Sequence, residues 1–367
     1  MNTKSIRRAI VPGVAALALA LSGCGAANDD EGDDTGSDTG GESLSGTLNG
    51  GGASSQESAQ GVWRAGFQGD NSGVTVNYDP VGSGTGRENF ISGAFAFAGS
   101  DSALSTDEGE LDAANERCGG DVIEVPAYVS PIAVVYNVPG LDELNIDAAT
   151  IAGIFDDKIT TWNDPAIAEQ NPDADLPDTA ITPVHRSDDS GTTNNFTDYL
   201  SQASDGAWSY DADGVWPKQG GEAAEGTSGL VAAVKSGEGA IGYADESQAG
   251  GLGIASIKVG EEYTAPSAEG AAKVVALSPR VEGRSANDMA FEVDRTTTES
   301  GAYPLILLSY LIACPTYEDA NEGKLVKGFL SYIVSEDGQA AAAEQAGSAP
   351  LESGLADEAA GIIDAIK

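Results

Sequence analysis

Val74-Thr75-Val76-Asn77-Tyr78, then Val81-Gly82-Ser83-Gly84-Thr85-Gly86, then Arg87 to Ile91 is the stretch that decides the fold. It reads as a strand, a loop of glycines and hydroxyls, and a helix from about Arg87. The same order occurs twice more. Leu44–Asn49 runs into Gly50-Gly51-Gly52-Ala53-Ser54-Ser55 and a helical pattern through Trp63 and Phe67. Ile181–His185 runs through Arg186-Ser187-Asp188 into Asp189-Ser190-Gly191-Thr192-Thr193 and a helix over Thr193–Gln202. Strands alternating with helices in this way predict an α/β protein.

The three loops share one chemistry. Glycine lets a backbone approach a ligand closely, hydroxyls donate, and the free N–H groups of a helix start bring the positive end of the helix dipole to the same place. One such loop is ordinarily only an N-cap; three after strands outline an oxyanion cage. Arg186 lies just off its strand end, four residues before the Ser-Gly-Thr turn, placed to pair bidentately with an oxyanion and to be oriented by Asp188. The competing reading is a surface Arg–Asp pair of small energetic worth.

Further strands are expected at Phe95–Ser100, Ala240–Tyr243, Val274–Ala276 and Pro304–Ala313. Val122–Val125 and Pro131–Asn137 form an apolar stretch broken by Pro126 and Pro131. Helices fit Ala148–Ile154, Gly229–Ser236, Glu322–Ser335 and Gln339–Ala346. At 367 residues one core would be stretched, so two lobes of roughly 100–150 residues are expected.

Charge excludes one class of partner outright. With 18 basic against 58 acidic side chains, a formal −40, the chain has no basic face for nucleic acid. Long-range steering of an anionic ligand should also be unfavourable and eased by salt.

Lys4, Arg7 and Arg8 precede an apolar run from Ala9 to Leu21 that ends in Leu21-Ser22-Gly23-Cys24. That run is shorter than the ~20 residues a membrane span needs, so residues 1–23 read as an export signal. The Leu-Ser-Gly-Cys ending is similar to the bacterial lipobox, which makes Cys24 the expected lipid anchor on the outer face of the cytoplasmic membrane. Residues 24–43 hold seven acids and no aliphatic side chain larger than alanine, which predicts a disordered, self-repelling tether with a reach of about 24 Å or more. Cys118 and Cys314 remain; in an exported protein they are expected to form one disulfide, the alternative being two buried free thiols.

Gly50-Gly51-Gly52-Ala53-Ser54, Val81-Gly82-Ser83-Gly84, Phe97-Ala98-Gly99-Ser100-Asp101, Lys158-Ile159-Thr160-Thr161-Trp162-Asn163-Asp164, Arg186-Ser187-Asp188 with Ser190-Gly191-Thr192, and Gly239-Ala240-Ile241-Gly242-Tyr243 keep one chain order. Together the set resembles the phosphate-binding proteins of bacterial high-affinity phosphate ABC transporters. The resemblance implies a two-lobed, type II periplasmic-binding-protein fold (a Venus flytrap with a two-segment hinge) that captures inorganic phosphate and delivers it to permease subunits. It implies lobe one at 44–127 and 246–367 and lobe two at 128–245, which puts both cysteines in lobe one. It also implies no cofactor, no metal and no catalysis.

By position, Ser54 and Ser55 resemble the first-loop donors and Ser83 the second-loop hydroxyl. Arg186 resembles the ligand's arginine, with Ser190, Gly191 and Thr192 as the third cradle, and Asp101 resembles the family's single acceptor. Ser55 departs from a larger apolar residue, and Asn194-Asn195 from a more apolar helix start. A carboxylate repels a dianion unless a proton lies between them, so Asp101 should accept from phosphate, which is protonated near neutral pH, and reject sulfate, which is not. A bare N-cap role for Asp101 is the alternative.

The same residues allow other readings. Sulfate, molybdate or a phosphate ester could occupy the same fold, as could a sensor or adhesin. A secreted serine hydrolase would use His185 with Ser83 or Ser190, but neither serine lies in Gly-x-Ser-x-Gly and no Ser-x-x-Lys occurs. Gly82-x-Gly84-x-Gly86 has the wrong spacing for a dinucleotide fingerprint.

Overall fold

The computed structural model describes residues 43–367; the expected export signal, Cys24 and the expected tether up to residue 42 lie outside the described residues. Strands and helices first alternate as β1 (Ser45–Gly52), α1 (Glu57–Asp70), β2 (Gly73–Asp79), α2 (Ser83–Ile91), β3 (Phe97–Ser100) and α3 (Glu110–Cys118). Next come β4 (Ile123–Asn137), β5 (Asn145–Ile146), α4 (Ala148–Phe155), α5 (Pro165–Ala168), β6 (Thr182–Arg186), α6 (Gly191–Ala203), β7 (Glu222–Ala224), α7 (Gly226–Ser236) and β8 (Ala240–Asp245). Three short strands, β9 (Gly253–Ile254), β10 (Ser256–Val259) and β11 (Glu262–Thr264), precede α8 (Ala268–Leu277) and β12 (Ile306–Ala313). The chain closes with α9 (Ala320–Val334), α10 (Glu336–Ala346) and α11 (Ser353–Asp364).

The main sheet runs β2-β1-β3-β12-β4-β8-β6-β7, with β9 also on β4, and a small sheet runs β11-β10-β5. β1 is parallel to β2 and β3, and β6 is parallel to β7 and β8, so each end of the sheet delivers strand ends and helix starts to one edge. Between them β12 and β4 are antiparallel.

Apolar side chains gather into two cores. One holds Leu48, Trp63, Phe67, Phe97 and Phe329; the other holds Tyr136, Ile151, Phe155, Trp162, Phe196 and Tyr243. Burying each such side chain contributes on the order of 1.5–3 kcal/mol. β4 and β12 belong to both: Ile123–Tyr128 and Leu311–Ala313 face the first core, Val129–Tyr136 and Ile306–Leu308 the second.

Two expectations are corrected. The apolar stretch is not broken at its prolines but is one strand, β4. Pro126 faces Tyr310 beside a register shift, and Pro131 is the last residue paired with β12 before Ile132 takes up β8, so neither missing N–H interrupts an unbroken ladder. Val274–Ala276 is helical, inside α8. The Ser267 side chain accepts from Gly270 N and caps that helix, and two β-branched residues are too short a run to override a capped, alanine-rich segment. The expected helix after Gly86 starts earlier, at Ser83.

Cys118 and Cys314 form the expected disulfide, with Cα atoms 5.1 Å apart. It joins the end of α3 to the residue after β12, and both cysteines border the first core.

Candidate anion-binding site

The three glycine–hydroxyl loops converge. β1 ends at Gly52 and leads into a 3₁₀ turn over Ser54–Gln56, β2 leads to Ser83 at the start of α2, and β6 ends at Arg186 before Ser190 caps α6. Ser54, Ser55, Ser83, Asp101, Arg186, Ser190 and Thr192 are all buried. Gly82 N donates to Gly52 O at 2.9 Å and Gly84 N to Asp189 O at 3.2 Å, which ties the second loop to both others.

Asp101, directly after β3, is the acceptor at the centre of this cluster. Ser55 Oγ donates to its Oδ1 and Oδ2 at 2.7 and 2.8 Å, Ser309 Oγ to Oδ1 at 2.7 Å, and Thr192 Oγ1 to Oδ2 at 3.3 Å. Its backbone N–H donates to Ser83 Oγ at 3.1 Å. Asp101 caps no helix, since α3 does not begin until Glu110. Burial raises its carboxyl above the ordinary carboxylate range, and the hydroxyl donors and the Arg186 charge pull it partly back.

Arg186 is only 2% exposed. Its Nε donates to Asp188 Oδ1 at 2.8 Å and its Nη2 pairs with Asp188 Oδ2, leaving Nη1 with one long contact, 3.4 Å to Thr227 Oγ1. Burial opposes the charge on Asp188, but the bonds and charge of Arg186 prevail and hold its carboxyl below its usual value. The expected orienting role therefore has its geometry, and the pair is buried rather than a surface ion pair.

Ser190 caps α6: its Oγ accepts from Thr193 N at 3.2 Å. Gly191 and Gly84 let loops approach one another, not only a ligand. A Cβ on Gly191 would lie 2.4 Å from Ser83 Oγ, and one on Gly84 would lie 2.0 Å from Asp189 Oδ2.

Two residues escaped the sequence reading. Thr227 at the start of α7 meets Ser54 Oγ at 3.0 Å through its hydroxyl and at 3.1 Å through its N–H. Ser309 lies in the apolar strand β12 and bonds Asp101.

A family model described as a PBP superfamily domain matches residues 37–337. The phosphate-binding protein PstS2 of Mycobacterium bovis BCG is 35% identical over 325 residues, 87% of each chain. PstS 3 of Mycobacterium leprae is 36% identical over 333 residues, covering 88% of this chain and 89% of that one. The chain belongs to the PstS family of phosphate-binding proteins. A phosphate-binding protein from Stenotrophomonas maltophilia superposes with a TM-score of 0.66 at 21% identity, over 86% of this chain and 93% of that one. That likeness shows the two-lobed periplasmic-binding-protein fold.

Within this PstS-family site His185 has no place for hydrolytic work. Its ring stacks on Trp216 with centroids 4.8 Å apart, and its two nitrogens lie against carbonyl oxygens, Arg186 O at 2.9 Å and Gly220 O at 3.0 Å. A general base needs a free ring nitrogen facing its nucleophile.

Proposed function

We propose that this chain captures inorganic phosphate in the Asp101–Arg186 cluster between two lobes and hands it to the permease subunits of an ABC transporter. The observation that carries the reading is one buried, hydroxyl-bound carboxylate set among anion-donating loops with one guanidinium. Ser54, Ser55, Ser83, Arg186, Ser190, Gly191 and Thr192 donate to the phosphate oxygens, Asp188 holds Arg186 in aim, and Asp101 accepts the proton that phosphate carries and sulfate lacks. No step is catalytic.

The lobes are proposed as 44–127 with 246–367 and as 128–245. β4 is proposed as one crossing segment and β12 as the other; the core residues from Ala249 to Leu308 lie in the second core except Met289, which lies in the first. Cys24 is proposed as the lipidated residue that holds the protein at the outer face of the cytoplasmic membrane, with residues up to 43 as tether.

Calorimetric titration tests the reading. Phosphate should bind tightly with one-to-one stoichiometry and sulfate should not bind; Asp101→Asn should narrow the difference. Equal affinity of the unaltered protein for both anions would sink it.

A further inference from the structure

We propose that Arg295 is a positioning residue for the phosphate site, acting through the Asn195 side chain to hold the Asp101 backbone against the first turn of α6. The proposal rests on the phosphate reading above. It gives a role to Asn195, which stands where the family resemblance leads one to expect an apolar helix start.

Arg295 lies outside every element that builds the site and is 2% exposed. Its donors go in three directions. Nη1 donates to Pro304 O and Ile306 O, both at 3.0 Å, at the start of β12, the strand shared by the two cores. Nε donates to Asp198 Oδ2 at 2.9 Å, and Nη2 donates to Asn195 Oδ1.

The last bond decides which way the Asn195 amide faces. A guanidinium can only donate, so it takes the amide oxygen and turns the amide nitrogen to the opposite side. There Nδ2 donates to Asp101 O at 2.6 Å and to Gly191 O at 2.9 Å. The flipped amide would set donor against donor at Arg295 and oxygen against two carbonyl oxygens at the other end. Arg295 therefore selects the orientation that grips Asp101.

The grip joins the two halves of the protein. Asp101 follows β3, whose Phe97 and Ala98 belong to the first core, whereas α6 places Phe196 and Tyr199 in the second. One amide nitrogen thus binds a carbonyl from each side, immediately behind the acceptor carboxyl. Its anchor, Arg295, is held by carbonyls of the strand that links those sides. In the proposed role the bond to Asp101 O is made when the two halves close on the ligand and lost when they open.

The test uses phosphate as the probe, the exported protein, calorimetric affinity, stopped-flow phosphate release and the melting temperature without phosphate. Asn195→Asp decides most directly. It keeps the pairing with Arg295 but sets a carboxylate oxygen against Asp101 O and Gly191 O, so the ligand-free melting temperature should fall modestly while the protein stays folded. Phosphate affinity should fall at least tenfold, through faster release. Arg295→Lys and Asn195→Ala should each weaken phosphate about tenfold. The double variant should be no weaker than the worse single one, because both act along one line. Phosphate affinity unchanged in Asn195→Asp overturns the proposal, as do multiplicative effects in the double variant. If Arg295→Lys melts too low to titrate, Asn195→Asp alone decides. An unaltered protein that binds no phosphate removes the functional reading itself and this proposal with it, a result distinct from any variant-specific one.

Discussion

Ser309 Oγ donates to Asp101 Oδ1 at 2.7 Å, from the point where the β12–β4 ladder slips past Ala127. Behind it Gln60 Nε2 donates to Gln56 Oε1 at 3.0 Å, and Gln56 Nε2 donates to Ser309 Oγ at 2.5 Å. All of these side chains are buried. The hydroxyl at the end of this hydrogen-bonded relay favours the ionised form of the acceptor, against burial, which raises its carboxyl above the ordinary carboxylate range.

Ser309→Ala removes a bond that favours the carboxylate, so the Asp101 carboxyl must move further up. The recognition proposed for Asp101 needs its ionised form, and the acid limb of binding should therefore shift to higher pH. Phosphate affinity measured from pH 5 to pH 8 should show that shift, with a loss of about tenfold near neutrality from one charge-assisted bond. A protonated Asp101 no longer repels sulfate, so sulfate binding should appear on the same acid limb. An unmoved limb would mean that Ser309 does not support the acceptor.

Arg186→Ala leaves Asp188 without its counter-charge as well as removing the anion's guanidinium. The cost of truncating such a buried pair, on the order of 2–5 kcal/mol, corresponds to at least a thirtyfold loss of phosphate affinity. Arg186→Lys keeps the charge but cannot bond Asp188 through two nitrogens and still reach a ligand, so it should recover only part of that loss. Full recovery by lysine would show that charge alone, not the fork, binds the anion.

The sequence carried the three loops because their signal is local: glycine and hydroxyl residues after a strand and before a helix. The same signal stands at Gly226-Thr227-Ser228-Gly229, where Thr227 completes the Ser54 contact, and could have been read as a fourth loop. Ser309 left a fainter mark, one serine in the otherwise apolar Ile306–Ala313 apart from Tyr310's hydroxyl. Its partner lies 208 residues away, a pairing fixed by sheet order and not by any local pattern. The prolines of β4 do not break it because the strand changes partner at Pro131, a pairing that no local pattern in the sequence carries. Val274–Ala276 misled because a two-residue β-branched run outweighed the Ser267 cap.

Gly191→Ala tests whether the glycines serve closure. Alanine suits a helix start, so the second core should be unharmed and the ligand-free melting temperature little changed. Its Cβ would lie 2.4 Å from Ser83 Oγ and 2.6 Å from Asp101 Cβ, across the junction of the two cores. Phosphate affinity should drop more than tenfold, and small-angle scattering with phosphate should show a more open particle than the unaltered protein. Unchanged affinity would mean that the loops yield to a methyl group.

The Cys118–Cys314 disulfide closes a loop of 196 residues, which in the chain-entropy model contributes about 5 kcal/mol. Cys118→Ser with Cys314→Ser should lower the melting temperature by roughly 7–8 °C at this chain length. Both cysteines border one core, so phosphate affinity below the transition should stay close to that of the oxidised protein. A large loss of affinity in a folded double variant would place the bond's role in closure.

Asp245, at the end of β8, supplies the pH test. Burial pushes its carboxyl up to about 7, against the opposing bonds from Ser247 and Tyr128. Tyr128 OH donates to it at 3.0 Å and Ser247 N at 3.0 Å. Between the ordinary carboxylate value and about 7 the folded protein retains a proton that the unfolded chain has released. Stability must therefore fall as pH rises through that window, by up to about 1.4 kcal/mol per pH unit, and level off above it. Asp245→Asn has no proton to lose. It should remove this part of the slope while adding a constant offset for the acceptor it gives up, so the difference between variant and unaltered protein should shift in favour of the variant from pH 4.5 to pH 8. Urea midpoints at a series of pH values measure that difference directly. Parallel curves would show that Asp245 is ionised throughout, held so by Tyr128 and Ser247 in spite of its burial.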